Sequence, residues 1–235
     1  MRIHTLIFPR AIAVAACLAL GAAAATGQEL QPGPQGPASG SYRAQAWRIP
    51  VPDADGETTR LLEAMLYRPA DEARRPLVII SHGSPRRNGD RPGMRPDWAE
   101  RAAAFFVGEG YAVLAPMRRG YGRSPGDADD RASGPCSSPD YADAGLRVAR
   151  QILLIADYMR RQSFVDGSRI VLAGQSAGGF ASVAAASLRP AGVIAVINFA
   201  GGRGSRAAND VCGEERLVEA FGRFGARAAV PSIWL

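Results

Sequence analysis

Four short segments of this chain, residues 77–80, 111–116, 170–173 and 193–199, are almost entirely apolar. Runs of that length without polar alternation are expected of strands buried on both faces of a sheet. Between and after them the spacing changes to helical. Residues 96–109 carry Trp98, Ala102, Phe105 and Phe106 on one face, and residues 140–162 repeat Ala149, Ile152, Leu153, Ala156 and Met159 at helical intervals. Further helices are expected over 180–188 and 214–224, and residues 230–235 open another strand. Ahead of all these, 42–51 and 58–67 alternate polar with apolar positions around the turn signal Asp53-Ala54-Asp55-Gly56. That is the pattern of half-exposed antiparallel edge strands. Buried strands alternating with helices predict an α/β fold, a doubly wound and mostly parallel sheet with antiparallel N-terminal strands.

The flanks divide the chain further. Residues 1–27 have the layout of a signal peptide: Arg2 and Arg10 in a basic start, apolar residues 11–20, and small residues 22–25 suited to cleavage. The mature chain would begin near Thr26 or Gln28, and the protein would be periplasmic or secreted. Val14-Ala15-Ala16-Cys17 also fits a lipoprotein cleavage box, but the apolar run before Cys17 is short and continues after it, which favours ordinary export. The apolar stretch is too short and alanine-rich for a stable membrane span. Residues 28–41 are rich in Pro and Gly and read as a flexible linker, which leaves 42–235 as the domain. In an oxidising compartment Cys136 and Cys212 are expected to pair. Such a bridge closes a loop of about 75 residues, worth roughly 4 kcal/mol in the chain-entropy treatment.

Charge and composition exclude more than they assign. The net charge is +6, but the arginines are scattered among acids with no basic stripe, so nucleic acid is not expected as a partner. Two histidines and three cysteines cannot supply a zinc-type ligand cluster, and no metal or other cofactor is expected. Gly201-Gly202-Arg203-Gly204 lacks the lysine and spacing of a phosphate loop and more simply turns the chain after a strand.

The candidate chemistry sits at strand ends. Gly174-Gln175-Ser176-Ala177-Gly178-Gly179 follows the strand at 170–173 and leads into a helix. Strand, G-x-S-x-G, helix is the sequence of a nucleophile elbow, where a sharp turn lifts a serine hydroxyl above the sheet. Ser81-His82-Gly83-Ser84-Pro85 follows the strand at 77–80, and Arg119-Gly120-Tyr121-Gly122-Arg123-Ser124-Pro125-Gly126 follows the strand at 111–116. In this order the three segments resemble the dienelactone hydrolase and prolyl oligopeptidase branch of the α/β-hydrolase superfamily, over residues 60–235.

The resemblance implies an α/β-hydrolase fold with Ser176 as nucleophile. It implies an oxyanion hole from the backbone N–H of Ala177 and of Gly83 or Ser84, with His82 shaping the loop. A small-molecule ester is the implied substrate, cleaved through an acyl-enzyme. The departure is the missing base. The family order is Ser, then acid, then histidine, yet no histidine follows Ser176 and His4 lies in the leader. Asp210, Glu214 and Glu215 precede the strand after which the family's acid stands. The expectation is a chain whose C-terminal part is missing, with acid and histidine beyond Leu235. True dienelactone hydrolases carry cysteine at the position of Ser176, so activity on dienelactones does not carry over. Two alternatives remain at this point: a non-catalytic scaffold used for binding or structure, and a serine peptidase of the prolyl oligopeptidase type.

Overall fold

The structure, a computed structural model, describes residues 30–53, 55–128 and 133–235. The leader, with His4 and Cys17, lies outside the described residues. An eight-stranded sheet runs β1 (Gly33–Pro34), β2 (Gln45–Pro52), β3 (Thr59–Tyr67), β5 (Ala112–Pro116), β4 (Arg75–Ser81), β6 (Val165–Gln175), β7 (Val193–Phe199), β10 (Ser232–Trp234) across its width. Strands β5, β4, β6, β7 and β10 are parallel, whereas β1, β2, β3 and β5 pair antiparallel in turn. The mostly parallel sheet with antiparallel N-terminal strands is therefore present as expected. The segment read as a free linker differs: Gly33 and Pro34 pair with Arg48 and Trp47, so part of it extends the sheet and β2 is not its edge.

The helices are α1 (Glu100–Gly108), α2 (Tyr141–Met159), α3 (Ala177–Ser187) and α4 (Glu214–Arg227). Strand order decides which face each one covers. The step from β4 to β5 goes one way along the sheet; the steps β5 to β6, β6 to β7 and β7 to β10 go the other. Because crossovers between parallel strands are right-handed, α1 lies on one face and α2, α3 and α4 on the opposite one. The larger core forms under the three helices, with Leu77, Leu114, Leu172, Ile152, Phe180 and Phe224 buried in it. A smaller one forms under α1, from Val78, Ile80, Val113, Val171, Ala99, Ala103 and Val107.

Local chemistry accounts for the helix ends. Asp140 caps α2 by accepting from Asp143 N at 2.9 Å, satisfying one orphan donor of the first turn. α3 is buried at every residue because it is sandwiched between the sheet and its two neighbouring helices. α1 begins later than the spacing over 96–109 predicts. Pro96–Ala99 forms a 3-10 turn, and the helix meets the sheet through Ala99, Ala103 and Val107. Trp98, Ala102, Phe105 and Phe106 share one face as expected, and it lines an open apolar trough of about 470 Å³ together with Phe199, Ile233 and Leu235. β7 departs from its pattern: read as buried throughout, it leaves Ile194 and Phe199 exposed. A small hairpin that the pattern did not reveal, β8 (Ser205–Ala207) with β9 (Asp210–Val211), follows the glycines at 201–204.

Candidate functional site

The reversal of strand order falls between β4 and β6, where the connection leaving β4 turns to one face and that leaving β6 to the other. A crevice at the carboxyl ends of the strands results at such a switch point. The register Ser81 opposite Gly174 brings the two following loops together. A Cβ placed on Gly83 would lie 3.2 Å from Ser176 Cβ and 3.8 Å from its Oγ, so the backbone of one loop crosses directly against the serine of the other.

Ser176 has φ 51° and ψ −121°, a region that L-residues rarely occupy. Its surroundings hold it there. Its N–H donates to Phe199 O at 3.0 Å, and its C=O accepts from Phe180 N at 3.0 Å and Gly202 N at 3.1 Å. Close packing does the rest. A Cβ on Gly174 would strike the backbone of Gly178, and one on Gly178 would strike the Ser81 carbonyl. One on Gly179 would strike the Asn198 side chain. The G-x-S-x-G-G spelling is thus demanded by three close approaches, two to backbone and one to the Asn198 side chain. The result is a half-buried hydroxyl at the start of α3, beside the N–H of Ala177, the first donor of that helix.

His82 is 1% exposed and fully engaged. Its Nε2 accepts from Arg118 N at 3.1 Å, which leaves the proton on Nδ1, and Nδ1 donates to Gly83 O at 2.6 Å. Both ring nitrogens are committed to backbone groups of the two neighbouring loops. Arg118 is also buried; its Nη1 donates to His82 O, and its Nη2 lies 3.4 Å from Gly83 O and 3.1 Å from Ser84 Oγ. Tyr121 supports the same turn. Its hydroxyl is 2.8 Å from Ser84 Oγ, and its ring carries the Arg118 guanidinium at 4.8 Å and that of Arg91 at 5.1 Å. Arg118 stands just ahead of the glycine-rich run that begins at Arg119, outside the motif visible in the sequence. The available signal was a pair of arginines placed immediately after a fully buried strand, where a charged side chain needs partners.

Among the described residues no imidazole or carboxylate is hydrogen-bonded to Ser176 Oγ. Asp210 is ion-paired with Arg206 at 2.6 Å, and Glu214 and Glu215 are exposed in the first turn of α4, where the helix dipole favours acids. Cys136 and Cys212 are joined as a disulfide with Cα atoms 5.2 Å apart. The bridge ties the loop before α2 to the start of α4, and the buried Tyr141 hydroxyl donates to Cys212 O beside it. Burial pushes that phenol's pKa up, against the opposing pull of Arg203 and Arg206. Among the described residues no group of His, Cys, Asp and Glu is placed to hold a metal ion, and no helix is long and apolar enough to cross a membrane.

The sequence profile of the prolyl oligopeptidase family matches residues 138–202, a stretch that contains Ser176. No curated protein matches the chain. Among solved structures, the acetyl xylan esterase from Paenibacillus sp. R4 is 18% identical, with 87% of this chain and 73% of that one covered and a TM-score of 0.55. The acetyl xylan esterase 1 from Thermoanaerobacterium sp. JW/SL YS485 is 20% identical over 87% and 72%, with a TM-score of 0.52. A puromycin-hydrolyzing peptidase from Mycobacterium tuberculosis is 15% identical over 83% of this chain and 31% of its own, with a TM-score of 0.55. Against an α/β hydrolase from Penicillium sp. sh18 this chain spans 46% of the partner's length. Identities at this level speak for a shared fold.

Proposed function

Given a chain with the α/β-hydrolase fold, we propose that it is an exported serine hydrolase that cleaves carboxylic esters through an acyl-enzyme on Ser176. The observation that carries this reading is Ser176 itself, held at φ 51° at the mouth of α3 with the Gly83 backbone against it. A strained, non-glycine residue over-determined by its surroundings fits a group selected for chemistry. In the proposed reaction Ser176 Oγ attacks the ester carbonyl, and the N–H groups of Ala177 and of Gly83 or Ser84 receive the oxyanion. Collapse expels the alcohol and leaves an acyl-serine, which water then hydrolyses. One such donor is worth roughly 3 kcal/mol in the transition state.

The base and the acid that orients it belong, in this proposal, to chain beyond Leu235. His82 is unsuited because both of its nitrogens already serve the loop. The 235-residue chain alone is then a weak hydrolase, retaining about 10³–10⁴-fold acceleration from the hole and from binding. Two structural neighbours bear the name acetyl xylan esterase, which makes short acyl esters the first substrates to try. The match to the prolyl oligopeptidase family across Ser176 supports a second reading, a serine peptidase. The Cys136–Cys212 disulfide supports export.

A fluorophosphonate probe tests the nucleophile. The protein isolated from its host is expected to label covalently and Ser176→Ala to lose the label. Equal labelling of the Ala variant would sink the assignment. Hydrolysis of p-nitrophenyl acetate but not of prolyl amides favours the ester reading over the peptidase one.

A further inference from the structure

Ser176 is presented by close packing of glycines, but the turn facing it is fixed by hydrogen bonds, and these converge on one side chain. In a trans peptide the C=O and the N–H point in opposite directions. Fixing the carbonyl of His82 therefore fixes the N–H of Gly83, and fixing the carbonyl of Gly83 fixes the N–H of Ser84. Arg118 reaches both carbonyls with its guanidinium fork, and its own backbone N–H holds His82 Nε2, which sets the tautomer that lets Nδ1 bond Gly83 O. The fork also reaches Ser84 Oγ at 3.1 Å, which Tyr121 holds from its own side. With both carbonyls drawn to Arg118, the two N–H groups are left on the opposite side of the turn. Among the described residues no acceptor bonds the Gly83 N–H, and Ser176 is the side chain closest to that glycine.

We propose that Arg118 is the positioning residue of the oxyanion hole: its guanidinium pins the His82 and Gly83 carbonyls and so aims the Gly83 and Ser84 N–H groups at an oxyanion formed on Ser176. The proposal rests on the serine hydrolase reading for the identity of the oxyanion, but not for the clamp itself. Arginine is suited to the task because its planar fork serves two acceptors at fixed separation and stays charged when buried, whereas lysine is a single point donor. A buried guanidinium that only stabilised the fold would leave the reacting geometry indifferent to which cation stood there.

The test uses the native-length protein with Arg118→Met, Arg118→Lys and Ser176→Ala. Two readouts are taken, steady-state hydrolysis of p-nitrophenyl acetate and hydrogen exchange of the residue-118 backbone amide, which is bonded to His82 Nε2 across the turn. Arg118→Met is expected to lower kcat by about 10²–10³-fold, the loss that follows removal of one oxyanion donor, with KM changed less than about threefold. Arg118→Lys is expected to fall between it and the parent. Exchange of the residue-118 amide, which is bonded to His82 Nε2, is expected to rise about tenfold or more in Arg118→Met while α3 amides keep their protection. Unchanged kcat together with unchanged exchange of the residue-118 amide in a folded Arg118→Met overturns the proposal. A KM rise with constant kcat also overturns it, since that marks lost substrate binding instead of lost transition-state stabilisation. If Arg118→Met does not fold, Arg118→Lys decides on the same two readouts. If the parent hydrolyses the ester no faster than Ser176→Ala, the hydrolase reading fails on its own, and the exchange measurement still decides whether Arg118 holds the turn.

Discussion

Leu77, Leu114 and Leu172 lie on one face of the central sheet and are fully buried beneath α2, α3 and α4. On the other face, among the described residues, α1 is the one helix that covers Val78, Val113 and Val171, and beyond it Phe199 and Ile233 remain 51% and 58% exposed along the trough. The residues that flank the trough are as apolar as those in the closed core. Their burial differs because right-handed crossovers send one helix to one side and three to the other. Side-chain hydrophobicity sets which positions can enter a core; the order in which strands are visited sets which of them do.

That contrast can be broken most sharply with two phenylalanines. Phe180, on the closed face, is fully buried with Phe221 and Phe224 at ring distances of 4.9 and 5.4 Å. Phe180→Ala is expected to cost about 3–5 kcal/mol by transfer and cavity terms. Phe105, 64% exposed beside the trough, is expected to cost less than about 1 kcal/mol on the same change. Denaturant melts of both variants measure the difference, and equal losses would mean that the trough is filled in solution.

The disulfide comes next, since it staples the loop before α2 to the start of α4 and so acts on the closed face alone. Replacing Cys136 and Cys212 together by serine removes a cross-link between residues 76 apart, at an expected cost of about 2–4 kcal/mol. Hydrogen exchange should rise first in α4 and in the 201–213 segment, with α1 unaffected; a uniform rise would argue against a local staple.

The smallest effect lies at the foot of β6 and belongs to neither face. Hydrogen bonds from Ser168 and Arg169 hold the half-buried Asp166 carboxyl down to about 2 from its ordinary 3.8. A depressed carboxylate contributes stability that is fully present above its unfolded value and is lost as pH falls through the folded one. Asp166→Asn should therefore melt slightly below the parent at neutral pH. The gap should close between pH 3.8 and about 2, as thermal melts across that window would report.

Much of this arrangement was legible in the sequence. The unbroken apolar runs located β4, β5, β6 and β7, the alternating ones located β2 and β3, and the helical spacing located α2 and α4 to within a few residues. The elbow was legible for a stronger reason: Gly174, Gly178 and Gly179 each face a backbone or side-chain atom that a Cβ would strike. Such a constraint leaves its mark in residue identity. The linker at 28–41 was misread in part, because the pairing of Gly33 and Pro34 depends on where Trp47 and Arg48 stand and not on their own propensity. Ile194 and Phe199 of β7 are exposed although their run is unbroken, because an apolar residue is buried only where something covers it.

Periodicity and glycine spacing, both encoded locally, thus determined the elements, the parallel sheet and the candidate serine. Only the tertiary structure decided which strands became neighbours, and with that the switch point between β4 and β6. It brought Gly83 against Ser176, occupied both nitrogens of His82 and placed Arg118 behind the turn. Those are long-range hydrogen bonds and packing contacts between segments some 35 to 95 residues apart, a distance at which no periodicity in the chain carries information.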